Sequence, residues 1–192
     1  LLVEKTGGPS VFPYHPKGLW LELNNRPNYS RTYKQDKGDN LYRRSLYTYW
    51  KRTVPPPSMA TFDAPEREFC LVRRSRTNTP LQAFVMLHDP QFVEAARHLA
   101  QRMMAASKNS EERIQHGFRL ATSRLPNQKE KAVLQRLFQE RLDLYSRDSK
   151  AAQAVLSVGD SNQNLNLPEP EQAAWTTVAR ALLNLSETIS KN

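Results

Sequence analysis

The sequence predicts a mainly α protein, with five to six helices in an irregular bundle and a Pro/Gly-rich N-terminal arm packed across it. Two observations favour this class: apolar side chains recur at three- and four-residue spacing after residue 80, and no credible pair of strands is found. A chain of 192 residues can bury one core. We therefore expect a single helical domain fragment over 1–192, divided into 1–38, 39–80 and 81–192.

Residues 1–38 are predicted to form an irregular arm of turns and short extended pieces, because glycine and proline interrupt them repeatedly without any sustained period. The arm holds too many aromatic residues for a disordered linker. They are Phe12, Tyr14, Trp20, Tyr29 and Tyr33. We expect this arm to lie across the helical body.

The segment 39–80 is predicted to combine a basic aromatic helix, a proline break and an arginine cluster. Asp39 can cap a helix from Asn40 to about Arg52. Its apolar stripe consists of Tyr42, Leu46, Tyr49 and Trp50. The prolines at 55–57 must end this helix and favour a rigid spacer. Residues 62–68 are predicted to form a single capped turn, in which Asp63 precedes a proline.

The body, 81–192, is predicted to be helical throughout except for a polar, mobile loop at 157–167. Proline, Ser, Thr and Asp mark the helix starts. The first predicted helix begins at Pro80, the second runs from Pro90 to about Ala106, and the third runs from Ser110 to about Arg124. A fourth follows Pro126 until a break near Asp148, after which the chain is again helical to Leu156. The last predicted helix extends over about 168–190. Their apolar stripes include Ala96, Met103, Ile114, Phe118, Leu134, Phe138, Trp175 and Leu182.

Composition argues against several kinds of site. The single Cys70 cannot form an internal disulfide and is expected to be a small buried hydrophobe. The four histidines lack metal-ligand spacing, and no C-x-x-C-H motif is present for haem attachment. We therefore expect no cofactor and no metal in this fragment. No window is apolar enough to span a membrane, and the absence of an initiator Met suggests a piece of a longer protein.

Charge and aromatic residues are concentrated in the first part of the chain. The net charge is +9, and residues 1–80 hold 14 Lys and Arg against 7 Asp and Glu. This balance favours anionic partners such as an acidic polysaccharide, an acidic protein face, anionic lipid or nucleic acid. The alternative, which we favour, is that the arginines lock a loop-rich region internally by bonding backbone carbonyls and carboxylates.

Several long motifs together resemble one family. They are LYRRSLYTYWKR, PPPSM, FDAPERE, RRSRTNTPLQA, DPQFVEAAR and AWTTVARALLNL, with GGPSVFP near the start. The chain resembles the C-terminal part of a planctomycete-specific C-terminal domain of unknown function, which ends large exported proteins that often carry a cytochrome-c-like module. It departs from that pattern at His88, where the family usually has Asn, and at Ser186, where it usually has Asp.

The resemblance implies an exported protein, periplasmic or at the cell surface, within a redox-associated or surface assembly. It supplies no catalytic residue. Asp63, Glu66 and Glu68 could serve as acid or base, but a structural network with the nearby arginines is the plainer account. Ser58 and Ser75 have no histidine near them in the sequence. Whether the chain is an enzyme is left open, because it contains no catalytic motif.

The leading hypothesis is a non-catalytic helical docking or scaffolding module of an exported multidomain protein, bound to other domains of the same polypeptide. The alternative is a glycan-binding or glycan-processing domain that uses aromatic and arginine residues of 20–78, and nucleic-acid binding is a weaker alternative. The candidate ligand-binding residues are Arg43, Arg44, Tyr47, Trp50, Asp63, Arg73, Arg74, Arg76 and Asn78.

Overall fold

The computed structural model describes residues 1–23, 31–162 and 166–189. Within them it contains nine α-helices, two 3-10 turns and isolated β-bridges but no sheet, which confirms the mainly α class. The chain divides into an N-terminal unit, Leu1–Thr77, and a C-terminal unit, Asn78–Asn192. The expectations of a single domain and of an arm lying across the body stay predictions. Tyr29 of the predicted arm falls outside the described residues.

The N-terminal unit has little regular structure. It contains α1 (Leu19–Leu23), 3-10 turns at Gly38–Tyr42 and Ser45–Tyr47, and α2 (Pro57–Thr61). Its first residues pair with the segment that follows the first turn. Val11 donates its backbone N–H to Tyr47 (2.8 Å) and accepts that of Tyr49 (2.8 Å). These non-local backbone bonds replace the local bonds of a helix.

The predicted helix from Asn40 to Arg52 is wrong. Arg43 and Thr48 are extended, and Leu46, a member of the predicted apolar stripe, is 71% exposed. The aromatic spacing is genuine, but backbone groups of Tyr42, Tyr47 and Tyr49 bond to Val3 and Val11 instead. Pairing across the unit therefore overrides the local helical pattern.

The proline break also differs from expectation. The third proline, Pro57, occupies the first position of α2, where a missing N–H costs nothing because that group would have no helical partner. The predicted capped turn at 62–68 does not form. Asp63 and Arg67 instead adopt the left-handed conformation, with φ of 57° and 63°. The helical turn thus lies ahead of the acidic segment.

An aromatic cluster forms the interior of the N-terminal unit. Phe12 stacks on Tyr49 with ring centroids 4.8 Å apart and meets Trp20 and Tyr33 edge to face. The Tyr33 hydroxyl donates to the carbonyl of Pro13 (2.5 Å). Burial, followed by the charge of Asp36, raises the pKa of Tyr33 above its ordinary value. Aromatic side chains of the arm's described residues, together with Tyr49, therefore pack against one another.

The described part of the C-terminal unit contains seven helices. They are α3 (Pro80–His88), α4 (Pro90–Ala106), α5 (Ser110–Thr122), α6 (Gln128–Arg147), α7 (Ser149–Leu156), α8 (Glu169–Leu183) and α9 (Ser186–Ile189). The predicted starts and the break near Asp148 are confirmed. The last predicted helix is interrupted after Leu183, and its expected end at residue 190 falls outside the described residues.

Side-chain caps explain why these boundaries are visible in the sequence. Thr79 and Gln82 form a capping box at the start of α3. Asp89 accepts the backbone N–H of Gln91 (2.9 Å) and so starts α4. Asp148 accepts that of Ala151 (3.0 Å), which begins α7 directly after α6 ends. Short polar side chains thus stop one helix and start the next.

Helix α8 lies at the centre of the C-terminal core. Trp175 is fully buried and stacks on Phe138 of α6, with centroids 4.1 Å apart. Alanines with no exposed surface lie on α4 and α8, which pack against each other. The buried members of the predicted stripes include Ala96, Met103, Ile114, Phe118, Leu134, Trp175, Val178 and Leu182. No helix within the described residues is long and apolar enough to cross a bilayer.

Trp175→Ala should lower the free energy of unfolding of the C-terminal unit by about 3–5 kcal/mol, because it leaves a large cavity beside Phe138. Urea unfolding followed by circular dichroism at the helical band measures this. Val133→Ala, at a position 54% exposed on α6, is the matched control and should change stability by less than about 0.5 kcal/mol. Equal losses in the two variants would contradict the central position of α8.

Arg124 joins three helices at the surface of the C-terminal unit. It follows α5 and forms two-pronged ion pairs with Glu130 of α6 (2.7 and 2.9 Å) and Glu187 of α9 (2.6 and 3.0 Å). Hydrogen bonding from Arg124, then the N–H of Asn127, lowers the pKa of Glu130 to about 2. The pair is partly exposed, so solvent and salt screen it.

The lowered pKa of Glu130 gives stability that is complete above its unfolded value near 4.5 and is lost as the pH falls towards about 2. Glu130→Gln, which keeps the cap geometry at this position, should remove part of the acid-induced fall in unfolding free energy in that window. Glu140→Gln, whose partner Arg136 is 3.8 Å away, is the control. Unfolding curves at pH 6 and pH 3 measure the difference, and identical pH dependence in both variants would refute it.

Candidate functional site

The structure divides the predicted site residues into an internal group and an exposed group. Arg43 is buried, and Tyr47 and Trp50 are half-buried. Arg44 and Asn78 are exposed, as are the three arginines of the cluster 73–76. Asn78 is the first residue of the C-terminal unit, whereas the others belong to the N-terminal unit. The nine residues therefore differ in exposure, and their binding of a ligand stays a prediction.

Arg43 anchors the N-terminal residues. Its guanidinium donates to the carbonyls of Lys5 (2.9 Å), Gly7 (2.6 Å) and Pro9 (3.3 Å). It also stacks on the ring of Tyr47 at 3.7 Å, and the hydroxyl of Tyr47 accepts the N–H of Gly7 (3.0 Å). For this arginine the structure supports internal locking over ligand binding.

The aromatic rings that were candidates for stacking a sugar already have cationic neighbours. Arg67 lies over Trp50 at 4.6 Å, and Lys51 lies over Trp20 at 4.4 Å. Trp20 is also buried, with 5% of its surface exposed. One face of each ring is therefore engaged by the protein itself.

Residues 64–76 form a loop whose two ends are pinned together, which we call the 64–76 loop. The carboxylate of Asp63 accepts the backbone N–H of Thr77 (2.8 Å) and its hydroxyl (2.8 Å). Arg52 pairs with both carboxylate oxygens of Glu68 at 2.8 Å, and its hydrogen bonds lower the pKa of Glu68. Asp63 thus closes the loop, which supports a structural role for this carboxylate over acid–base chemistry.

The 64–76 loop displays apolar side chains to solvent. Phe69 is 67% exposed, Leu71 is 48% exposed and Val72 is fully exposed. Cys70 is exposed between them, which contradicts the expectation of a buried thiol. The expectation failed because burial was inferred from residue type alone, whereas this loop has no helix or strand of its own. Arg73, Arg74 and Arg76 follow directly.

A second polar constellation, which the sequence did not predict, lies in the C-terminal unit. Glu94 and Arg97 of α4 are buried, with 0% and 1% of their surfaces exposed. Arg97 donates to the carbonyl of Leu156 and to both the carbonyl (2.9 Å) and the hydroxyl (2.6 Å) of Ser161. Glu94 accepts the backbone N–H of Ser161 (2.5 Å). The ion pair thus fixes residues 157–162, which we call the 157–162 loop.

Sequence reasoning missed this constellation because charged residues on an amphipathic helix are ordinarily assigned to the solvent face. One signal was available. Glu94 and Arg97 occupy the same side of α4 as the buried Val93 and Ala96. The polar segment around Ser161 was predicted to be mobile, and periodicity cannot show that a loop packs against buried charges.

The fold and these two sites define a mainly α module with an exposed basic loop and a buried ion pair. Residues 1–138 match the family model described as Protein of unknown function (DUF1553), and the chain belongs to this family. The predicted resemblance to a family of unknown function is confirmed to that extent. The comparisons with curated proteins and with solved structures found no match.

Arg43→Lys should free the N-terminal residues, because lysine keeps the charge but cannot bond three separated carbonyls. Loss of one charge-assisted hydrogen bond costs about 1.5–3 kcal/mol, so amide exchange of Val3 should accelerate at least about tenfold. Hydrogen exchange by NMR measures this rate. Arg44→Lys at the neighbouring exposed position should leave it unchanged, and equal exchange in both variants would contradict the anchoring role.

Proposed function

We propose that the chain is a docking or scaffolding module whose 64–76 loop binds an acidic protein surface on another domain of the same polypeptide. One observation carries the proposal: a pinned loop holds Phe69, Leu71 and Val72 in water. Large apolar side chains grouped on a surface mark interaction sites more often than scattered ones do. Their burial by a partner would remove this apolar area from water.

The anchoring of the loop strengthens this interpretation. Asp63 fixes its base, Arg52 holds Glu68, and Arg74 donates to the carbonyl of Phe62 (3.1 Å). A pre-organised loop loses less conformational entropy on binding than a free segment. The loop is therefore suited to a partner that recognises one defined conformation.

Charge supports an acidic partner. Arg73, Arg74 and Arg76 are exposed next to the apolar residues. Arginine and aromatic residues are enriched in protein interfaces, and complementary charge speeds association and selects the partner. An acidic face that also carries apolar side chains would pair with the arginines of the loop and cover its apolar side chains.

The wider context of this proposal is the resemblance to planctomycete-specific C-terminal domains. It supports an exported multidomain protein, and a neighbouring cytochrome-c-like module would offer one surface for docking. Export, source and neighbour are parts of the proposal that rest on that resemblance alone.

Glycan binding is the second candidate, favoured by the exposed arginines, which can pair with sulfate or carboxylate groups. Engagement of Trp50 by Arg67 and burial of Trp20 leave it with less support. Nucleic-acid binding rests on the charge and the interleaved aromatic residues of 29–52 and is the weaker alternative.

The test uses two fluorescent peptides of equal length and charge, one alternating glutamate with leucine and the other glutamate with serine. The full chain should bind the leucine peptide at least about tenfold more tightly, because only that peptide covers the apolar side chains. Phe69→Ser combined with Val72→Ser should abolish this preference, as measured by fluorescence anisotropy at moderate salt.

The matched control is Leu21→Ser combined with Leu23→Ser, which removes two exposed apolar side chains from α1 of the same unit. It should leave the preference intact. Equal affinity for the two peptides would overturn the docking proposal. Binding of a sulfated polysaccharide, with neither peptide bound, would favour the glycan alternative.

A further inference from the structure

A serine and a histidine that lie far apart in the sequence meet in the C-terminal unit. The hydroxyl oxygen of Ser161 lies 2.8 Å from Nε2 of His98 on α4. Both side chains are half-buried, so neither is sealed from solvent. A hydroxyl within about 2.6–3.2 Å of an imidazole nitrogen is the arrangement of a nucleophile and its general base.

The hydrogen bonds around the hydroxyl fix the direction of its proton. Arg97 can only donate, and its guanidinium donates to the Ser161 oxygen at 2.6 Å. The hydroxyl proton is therefore directed at another acceptor, and His98 Nε2 lies within reach at 2.8 Å. The Nδ1–H tautomer of His98 follows from this assignment.

The surroundings favour the form of His98 that accepts a proton. Burial, followed by the positive charge of Arg97, lowers the pKa of His98, and the carboxylate of Glu94 opposes this in part. A lowered pKa favours the neutral imidazole, which is the form that accepts a proton. Arg97 also favours an ionised serine oxygen, because a charge-assisted hydrogen bond stabilises the alkoxide more than the alcohol.

The backbone of the 157–162 loop is held so that the hydroxyl stays in place. Glu94 accepts the N–H of Ser161 at 2.5 Å, and Arg97 binds its carbonyl at 2.9 Å. Gly159 has a φ of +92°, and a Cβ at this position would overlap the carboxylate of Glu94. The loop therefore requires glycine there, two residues before the serine.

We propose that Ser161 is a nucleophilic serine, with His98 as its general base, and that it cleaves small carboxylic esters by acyl transfer. The Ser161 oxygen forms a bond to the acyl carbon while its proton passes to His98. The bond to the alcohol then breaks, and the leaving oxygen takes that proton. Water then gives a proton to His98 and bonds to the acyl carbon, the bond from that carbon to the Ser161 oxygen breaks, and this oxygen takes the proton back as the carboxylic acid leaves. Arg97 is a positioning residue, because it acts through the serine oxygen.

This activity is independent of docking by the 64–76 loop, since it uses only residues of the C-terminal unit. The half-buried hydroxyl favours small, unbranched acyl groups. No residue of the constellation belongs to the candidate set found from sequence.

The first experiment treats the full chain with a fluorophosphonate, which reacts as the serine oxygen bonds to phosphorus and fluoride leaves. Peptide mass spectrometry should locate one phosphonyl group at Ser161. His98→Gln should slow the reaction about 100-fold, in line with the loss of a general base. Ser157→Ala in the same loop and His116→Gln on α5 should leave the rate unchanged. Labelling of Ser161 in His98→Gln at the wild-type rate would overturn the proposal.

A merely structural hydrogen bond would not produce a pH profile of this reaction. The labelling rate should rise with pH as His98 loses its proton, with a midpoint below the ordinary histidine value of 6.5. The wild-type chain should also release a burst of 4-nitrophenol from 4-nitrophenyl acetate equal to its own concentration. A rate that is flat across this range, or an equal burst from Ser161→Ala, would also overturn the proposal.

A second variant covers the case in which Ser161→Ala fails to fold. In a Cys70→Ser background, Ser161→Cys places a thiol beside His98 and Arg97, and circular dichroism verifies its fold. Iodoacetamide should alkylate this thiol at least about tenfold faster at pH 6 than it alkylates Cys70 of the wild type, because the nearby cation stabilises the thiolate. Alkylation at the rate of the exposed Cys70 or slower would refute an activating environment.

Discussion

The packing of α4 against α8 is the constraint on which the rest of the C-terminal unit depends. Alanine provides buried surface on both helices, and small side chains allow two backbones to approach closely. Trp175 then fills the space towards α6. With one side of α4 held in this core, Glu94 and Arg97 are kept where they bond the 157–162 loop. The stability of the core and the geometry of the Ser161 site are therefore linked through one helix.

Arginines of the described residues have different roles, and burial separates the internal ones from those at the surface. Arg43 collects backbone carbonyls, Arg97 is almost fully buried beside a glutamate, and Arg124 joins helices at the surface. Arg73 is exposed. Net charge alone therefore overstates the basic surface available to a ligand, because part of it is used inside the units. The expectation that arginines lock the loop-rich region applies to Arg43 and, through its pairing with Glu68, to Arg52.

The sequence predicted the C-terminal unit well because its determinants are local. Capping side chains such as Asp89 and Asp148 bond N–H groups two or three residues away, and apolar periodicity reports directly on one buried face. The N-terminal unit is determined by bonds between distant residues, such as Val11 with Tyr49. Such pairing leaves no periodic trace, so the aromatic spacing of 40–52 predicted a helix that does not form. The Ser161 site was missed for the same reason, since its members are separated by more than 60 residues.

The family match covers all the residues of one proposal but only part of those of the other. It covers residues 1–138, which include the whole 64–76 loop together with Glu94, Arg97 and His98, and it ends before Ser161. Docking through the loop is therefore a hypothesis about the matched region, whereas Ser161 lies outside that region. The two also depend on different physics. Docking relies on exposed apolar area and on charges that salt screens, while the Ser161 site relies on a buried ion pair that salt screens little. Raising the ionic strength should therefore weaken one activity and leave the other nearly unchanged.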